Sequence, residues 1–409
     1  MASVDAPGGH GTRAQGALDA LHGLSRYSLQ RWRQGELGAL PVILGLIVIA
    51  AYFQSQQSSF LSARNLSNLV LQIAATGAVA VGIVLVLLLG EIDLSVGSVA
   101  GLCSAILGVL IVNHGWPWWA AIVVVLATGS AIGAFQGAWF ALAGVPSFVV
   151  TLAGFLAWQG VQLRVLGSTG TVNVFDPHIS QIAQSYLPAF WGWLLGIGAA
   201  VTYASSLWIG QLRRRRAGLA TAPALVVGAR TLLVVAIAAA SVEVLSRFNG
   251  VPTAGVILLG LVVAFALLTT RTRFGRYVFA LGGNAEAARR AGVNVARIRI
   301  AVFALAGFMA AIGGIIFTSR LTAASTQTGG GTFLLEAIAA AVIGGTSLFG
   351  GRGSAWSALL GALVIGSVSN GLDLMAQPPE IKYMVEGAIL LAAVTVDAVA
   401  RRSREAAGR

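Results

Sequence analysis

Residues 66–89 read Leu-Ser-Asn-Leu-Val-Leu-Gln-Ile-Ala-Ala-Thr-Gly-Ala-Val-Ala-Val-Gly-Ile-Val-Leu-Val-Leu-Leu-Leu, a run without a single charge. At about 1.5 Å per residue, a helix of that length exceeds the roughly 30 Å hydrocarbon core of a bilayer. Working outward, comparable apolar stretches occupy 39–54, 95–112, 118–142, 147–165, 189–209, 226–246, 251–270, 298–318, 333–347, 354–376 and 382–399. Those at 95–112 and 333–347 are the weakest, being short or broken by glycine. Composition agrees: 57% of the 409 residues are apolar and 10% charged, whereas soluble domains carry about 25% charge. The expected fold is all-α, a polytopic membrane protein with about twelve (10–12) transmembrane helices.

Orientation follows from where Lys and Arg gather, since cytoplasmic loops retain them. Starting inside and crossing twelve times, the inner side collects 21 of the 26 basic residues, leaving Arg64, Arg164, Arg247, Arg320 and Lys382 outside. Both termini are therefore expected in the cytoplasm. Residues 1–38 read as a polar cytoplasmic tail, because no apolar core of a cleavable signal stands near the start. A membrane domain spans 39–399, with a cytoplasmic loop at 271–299, and a basic tail follows at 400–409. The run of arginines at 213–216 fits the inner end of a span better than a nucleic-acid patch, and no nucleic-acid partner is expected. Arg230, one turn inside the next span, can extend its guanidinium back to the interface.

Several chemistries are excluded. One cysteine, Cys103, allows no internal disulfide and no Cys-rich zinc site. The only lysine, Lys382, lies in Glu-Ile-Lys-Tyr and not in a phosphate-cradling Gly-x-x-x-x-Gly-Lys-Ser/Thr. Any ATP used in transport must be hydrolysed on another chain. Four scattered histidines form no metal-binding pair. No catalytic residue, metal or cofactor is expected.

Charged groups near membrane depth are functional hypotheses by default. Glu91 and Asp93 stand in Gly90-Glu91-Ile92-Asp93-Leu94-Ser95, at the inner side by this topology. They could gate or bind, or Asp93 and Ser95 could cap the next helix. Glu336, shortly after Gly329-Gly330-Gly331, invites the same cap reading. A neutral polar substrate needs amides, hydroxyls and aromatic faces; Gln72, Thr76, Gln136, Trp139, Ser147, Thr151, Trp158, Gln159 and Asn370 offer them, or else tie helices together. Trp116, Trp118 and Trp119 fit an interfacial belt. Of the 52 glycines, Gly82, Gly101, Gly108, Gly133, Gly137, Gly144 and Gly154 would let helices approach closely. The pairs Gly344-Gly345 and Gly350-Gly351 mark breaks.

The loop after residue 271 holds the most local information. Asn284 suits a helix N-cap, Glu286 the positive end of the helix dipole, residues 285–291 a short helix, and Gly292 its end. Such an arginine-bearing helix lying along the membrane could dock a soluble partner or rest on lipid headgroups.

This loop, from Gly282-Gly283-Asn284-Ala285-Glu286-Ala287-Ala288-Arg289 through Gly292, resembles the coupling segment of sugar ABC importer permeases of the ribose, galactose and xylose type. Glu91-Ile92-Asp93-Leu94-Ser95-Val96-Gly97-Ser98, Val145-Pro146-Ser147-Phe148, Ala341-Val342-Ile343-Gly344-Gly345-Thr346-Ser347-Leu348 and Asn370-Gly371 are similar to that family too. The likeness covers roughly residues 61–399. It is closest to the xylose permeases, because the shorter members lack much of 167–250.

The resemblance implies an inner-membrane permease homodimer with two cytoplasmic ATPase subunits and an extracytoplasmic sugar-binding protein, moving a pentose, D-xylose first, inward by alternating access. It puts Arg273, Gly275, Arg276, Asn284, Glu286, Ala287, Ala288 and Gly292 at the ATPase-coupling loop. Glu91, Asp93, Ser95, Gln136, Pro146, Ser147, Thr151, Glu336 and Asn370 become candidates for the translocation path or its gates. The alternatives are a permease for ribose, galactose or arabinose, and a proton-coupled sugar carrier using Glu91, Asp93 or Glu336. A proton relay usually needs a chain of such groups across mid-membrane, and none is visible there.

Overall fold

The computed structural model describes residues 40–219, 221 and 223–406; the expected tail of residues 1–38 lies outside them. Each of the twelve apolar stretches forms one helix. These are α1 (Leu40–Gln56), α2 (Ala63–Leu88), α3 (Val96–Gly108), α4 (Trp118–Ala143), α5 (Ser147–Leu166), α7 (Ala189–Arg216), α8 (Ala224–Ser246), α9 (Thr253–Arg271), α12 (Val295–Leu321), α13 (Gly331–Ile343), α14 (Ala355–Leu374) and α15 (Pro379–Ala406). Three short helices join them: α6 (Pro177–Gln184), α10 (Arg273–Gly283) and α11 (Ala285–Arg290).

Among the described residues nine helices are long and apolar enough to cross a membrane, so the chain is a multi-pass membrane protein. α3 reaches that length by running on through a π-helical turn at Val109–Asn113. Three of the twelve are not among them: α15, despite its 28 residues, and two shorter helices. α1 has 17 residues, and α13 has 13, about 20 Å of helix. The apolar pattern of 333–347 overruns α13 because Gly344 packs against the Ser357 backbone and Gly345, at φ +105°, turns the chain away. α15 continues through Arg401, Arg402 and Arg404 to Ala406.

The opening stretch is the centre of the molecule. Ser62 caps α2 by accepting from Asn65 N at 3.3 Å, and from Ile73 to Leu88 every residue of α2 is buried. A helix apolar all round belongs inside a bundle; α3, α9, α12, α13 and α14 pack around it. α4 lies on α12 through Gly129, Gly133 and Gly137, one face of a helix at four-residue spacing. A methyl carbon on Gly133 would stand 2.8 Å from the Phe303 carbonyl carbon and closer still to its oxygen. Only glycine permits that approach, and close backbone contact is what associates helices where no hydrophobic drive exists. Gly144, expected among the packing glycines, has open space around it and instead ends α4 at φ +72°. α7 and α8 form a peripheral pair whose Phe190, Trp191, Leu232 and Leu233 face outward, as lipid contact requires.

The connections gather at two ends. One holds residues 89–95, the turn at Gly144, α10 and α11, and the turns after α13, where Gly351 N donates to Leu88 O at 2.9 Å. The other holds two antiparallel strand pairs: β1 (Thr171–Asn173) with β4 (Ala323–Ser325), and β2 (Tyr186–Leu187) with β3 (Val251–Pro252). There α6, capped by Asp176 with Pro177 in its first turn, is fastened to α12 by Ala183 N donating to Ser319 Oγ at 2.8 Å.

Candidate functional site

Seven of the nine path candidates converge at the first of these ends. Asp93 Oδ1 accepts from Ser95 N at 2.8 Å and from Ser95 Oγ at 2.6 Å, just ahead of α3. Capping at this helix start therefore belongs to Asp93; Ser95 occupies the N-cap position without a side-chain capping bond. Ser95 Oγ also meets Gln136 Oε1 at 2.8 Å, reaching across to α4. Gln136 Nε2 and Trp158 Nε1 are both buried without a partner, against Gly154. Ser95 Oγ has one proton, and the carboxylate is its stronger acceptor. A half-turn of the Gln136 amide would let Nε2 donate to Ser95 and turn Oε1 toward the indole.

Glu91 joins a different set. Pro146 precedes α5 in extended conformation, and Ser147 in its first turn donates from Oγ to Glu91 Oε2 at 2.7 Å. One turn on, Thr151 Oγ1 bonds to Ser147 O at 3.0 Å and lies 3.4 Å from Ile92 O. The other carboxylate oxygen of Glu91 accepts from Arg299 Nη2 at 3.3 Å. Arg299, counted in the sequence only as a basic residue on the inner side, also lies 4.4 Å from the centroid of the Phe140 ring, a cation–π distance. Both carboxyls stand in the α2–α3 connection, outside either helix. Burial raises Glu91 above its ordinary value, opposed by the Ser147 bond and the Arg299 charge. Burial raises Asp93 likewise, opposed by the Ser95 hydroxyl and by the Ser95 and Val96 N–H groups.

The remaining two candidates lie apart from this cluster, Asn370 toward the other end and Glu336 between the two. Asn370, 3% exposed, accepts from Asn65 Nδ2 at 2.7 Å and donates to Gln72 Oε1 at 3.2 Å, so these amides tie α14 to α2. Glu336 does not cap its helix: α13 begins at Gly331, and Glu336 sits more than a turn inside. It lines a cavity of about 100 Å³ with Thr332, Ile365, Tyr383 and Glu386. Glu386 accepts from Ser369 Oγ, and nearby Lys382 pairs with Asp373 at 2.9 Å. Among the described residues no group of His, Cys, Asp and Glu forms a metal-holding cluster.

The segment from 272 to 294 folds as its local sequence dictates. Thr272 accepts from Gly275 N at 3.2 Å to start α10, and Asn284 accepts from Ala287 N at 2.9 Å to start α11. Gly292, at φ +84°, ends α11 as Val293 N returns to Ala288 O at 3.1 Å. α10 turns Gly275, Val278 and Leu281 into the bundle and leaves Arg273 and Arg276 exposed. Glu286, paired with Arg290 at 3.1 Å, is exposed, as are Ala287 and Gly292. Ala288 is not: at 6% exposure it packs into the core beneath α11. It can position the helix but offers no surface to a partner. Gly282 lies directly over the Leu88–Gly351 hydrogen bond, so α10 sits on the end of the central helix.

Residues 65–394 match the family described as branched-chain amino acid transport system / permease component. The chain is 43% identical to the xylose transport system permease protein XylH of Escherichia coli strain K12, over 90% of this chain and 93% of that protein. It is 38% identical to XylH of Haemophilus influenzae, over 87% and 95%. The ribose import permease protein RbsC of E. coli strain K12 is more distant, at 31% over 91% and 96%. No solved structure matches.

Proposed function

Since the chain belongs to the branched-chain amino acid transport system permease family and is the permease component of an ABC transporter, we propose that it moves D-xylose inward across the inner membrane of a bacterium. One observation carries the substrate: identity of 43% with a xylose permease over 90% of the chain, against 31% with a ribose permease. The chain is not itself an enzyme. Two copies would frame the path, a cytoplasmic ATPase pair would dock on the 272–294 segment, and a sugar-binding protein would deliver at the opposite face. Lipid surrounds the assembly.

Twelve crossings with both termini inside fit the two ends of the bundle. The end that carries α10, α11 and most of the exposed arginines is then cytoplasmic. α1 crosses as a short helix; α13 completes a crossing that the chain ahead of it begins, because Gly329 already packs on Gly97 and Gly101 at the start of α3. Exposed Glu286, Ala287 and Gly292, with Arg273 and Arg276, form the docking face. Gly275, Asn284 and Ala288 hold its shape. Glu91, Asp93, Ser95, Gln136, Pro146, Ser147 and Thr151 make the inner gate, where three helix ends meet; Asn370 belongs to the outer half and Glu336 to the middle. Nucleotide and sugar act only through their different affinities for inward- and outward-open states.

The test is labelled-xylose uptake into proteoliposomes, with and without the ATPase, the binding protein and ATP. Uptake that needs all three, that unlabelled ribose competes with poorly, and that Glu286→Arg abolishes together with ATPase docking is the expected result. Uptake by this chain alone on a proton gradient would overturn the function. Equal competition by ribose would overturn the substrate.

A further inference from the structure

Arg299 has no role in the function as stated so far. It stands in the second turn of α12, just beyond the docking segment, and its guanidinium touches two other elements: Glu91 of the α2–α3 connection at 3.3 Å and Phe140 near the end of α4 at 4.4 Å. Glu91 passes the contact on to Ser147 at the start of α5. One cation thus fastens the inner ends of α4 and α5 to the helix that the docking segment leads into. Asp93, the other carboxylate nearby, is engaged by Ser95 and does not compete for it.

The strength of this fastening suits a contact that must break. Arg299 and Glu91 side chains are 26% and 18% exposed. A fully exposed pair holds little, and a fully buried one leaves a stranded charge when it opens. At this intermediate burial, water can take over both partners on separation. α12 is a single helix of 27 residues capped by Asn294. The turn at 291–294, closed by Val293 N donating to Ala288 O at 3.1 Å, joins α11 to α12, so a displacement of α10 and α11 pulls on the end of α12 less than two turns from Arg299.

We infer that Arg299 is the positioning residue that couples movement of the docking segment to the inner gate, with Glu91 as its acceptor. The inference rests on the permease function proposed above. Opening separates Arg299 from Glu91 and Phe140 together, so α12 can part from α4 and from the Glu91–Ser147 pair that ties the α2–α3 connection to α5.

The experiment measures sugar moved per ATP hydrolysed by the whole assembly in proteoliposomes. Arg299→Gln and Glu91→Gln are expected to lower that ratio about 5- to 20-fold, the lower part of the ordinary range of coupling between sites, while the ATPase subunit still docks. Arg299→Lys keeps the charge but not the flat fork stacked on Phe140, so its loss should be smaller than that of Arg299→Gln. The exchange Glu91→Arg with Arg299→Glu should transport better than Glu91→Arg alone. An unchanged ratio in Arg299→Gln, an exchange no better than Glu91→Arg, or a loss in Arg299→Lys equal to that in Arg299→Gln would each overturn the inference. Those results differ from failure of the function itself, which shows as absent ATP-driven uptake in the unaltered assembly and overturns both.

Discussion

Gly282 and Gly283 are adjacent, chemically identical and placed in different surroundings. A methyl carbon on Gly282 would stand 2.5 Å from Gly351 N, 2.9 Å from the Leu88 carbonyl carbon and closer still to its oxygen, whereas real Cβ contacts essentially never fall under 3.0 Å. All three atoms are backbone and cannot rotate aside. α10 must lift by more than 0.5 Å, and the Leu88–Gly351 hydrogen bond must stretch with it. A methyl on Gly283 meets nothing within 4 Å. Overpacking costs about 1–3 kcal/mol, and the strained hydrogen bond adds about 0.5–1.5 kcal/mol. Taken together at about 3 kcal/mol, Gly282→Ala should depopulate the seated position of the docking segment roughly a hundredfold. Gly283→Ala should be neutral or slightly stabilising, because alanine is the better helix former. The assay is equilibrium binding of the ATPase subunit to detergent-solubilised permease, with xylose-stimulated ATP hydrolysis as a second readout. Equal behaviour of the two alanine variants would refute the claim that α10 is seated by backbone contact on α2.

Three further outcomes follow from the same geometry. Gly133→Ala should lower the thermal midpoint in detergent by an amount equivalent to about 1–3 kcal/mol, because its methyl would meet the Phe303 backbone; Gly160→Ala, with open space around it, is the control, and equal midpoints would contradict the α4–α12 packing. Asn370→Leu leaves buried Asn65 without one of its acceptors and Gln72 Oε1 without its donor, a loss of about 1–3 kcal/mol; an unchanged melting curve would show that the amides are not tying α14 to α2. Burial raises the Asp93 carboxyl in the native state, so the fold keeps a proton that the unfolded chain releases. The stability tied to that proton is complete below the ordinary carboxylate value and is lost as pH rises through the raised one. Asp93→Asn should flatten that part of the stability–pH curve, and a slope equal to the parent's would argue against a buried, titrating Asp93.

Legibility in the sequence tracked the range of the interactions. The Asn284 cap, the helix behind it and the Gly292 stop are contacts between residues three to five apart, and they stand as the local pattern implied. Glu91, Asp93, Ser95 and Ser147 were visible as polar residues in an apolar chain, but Gln136 and Ser147 reach their partners across 41 and 56 residues, which no local pattern encodes. Arg299 finds Glu91 across 208 residues and so looked like one more topology arginine. Glu336 was misplaced because three consecutive glycines hide where a helix starts: Gly329 is at φ +75°, while Gly331 opens α13. Ala288 was misjudged because a six-residue helix does not show which side faces the core.

The distribution of charge along the helices bears on what can pass. Toward the inner end stand Glu91, Asp93 and Arg299; toward the outer end stand Arg320, Asp373 and Lys382; Glu336 and Glu386 lie between, lining a small cavity beside Ile365, midway along α14. Elsewhere between the two ends, polar groups that bridge helices among the described residues include the neutral, buried Ser104–Thr318 hydroxyl pair at 2.6 Å. A charged substrate would need compensating charge along its way, because an unpaired ion at mid-membrane is costly. A sugar needs only hydrogen bonds, which hydroxyls and amides supply without an ionic trap. The ionic contacts at the inner end, Arg299–Glu91 foremost, can then be strengthened or broken by a partner's movement without altering how strongly a neutral sugar is held in the middle. That separation lets ATP act on the gate while the path itself stays indifferent to it.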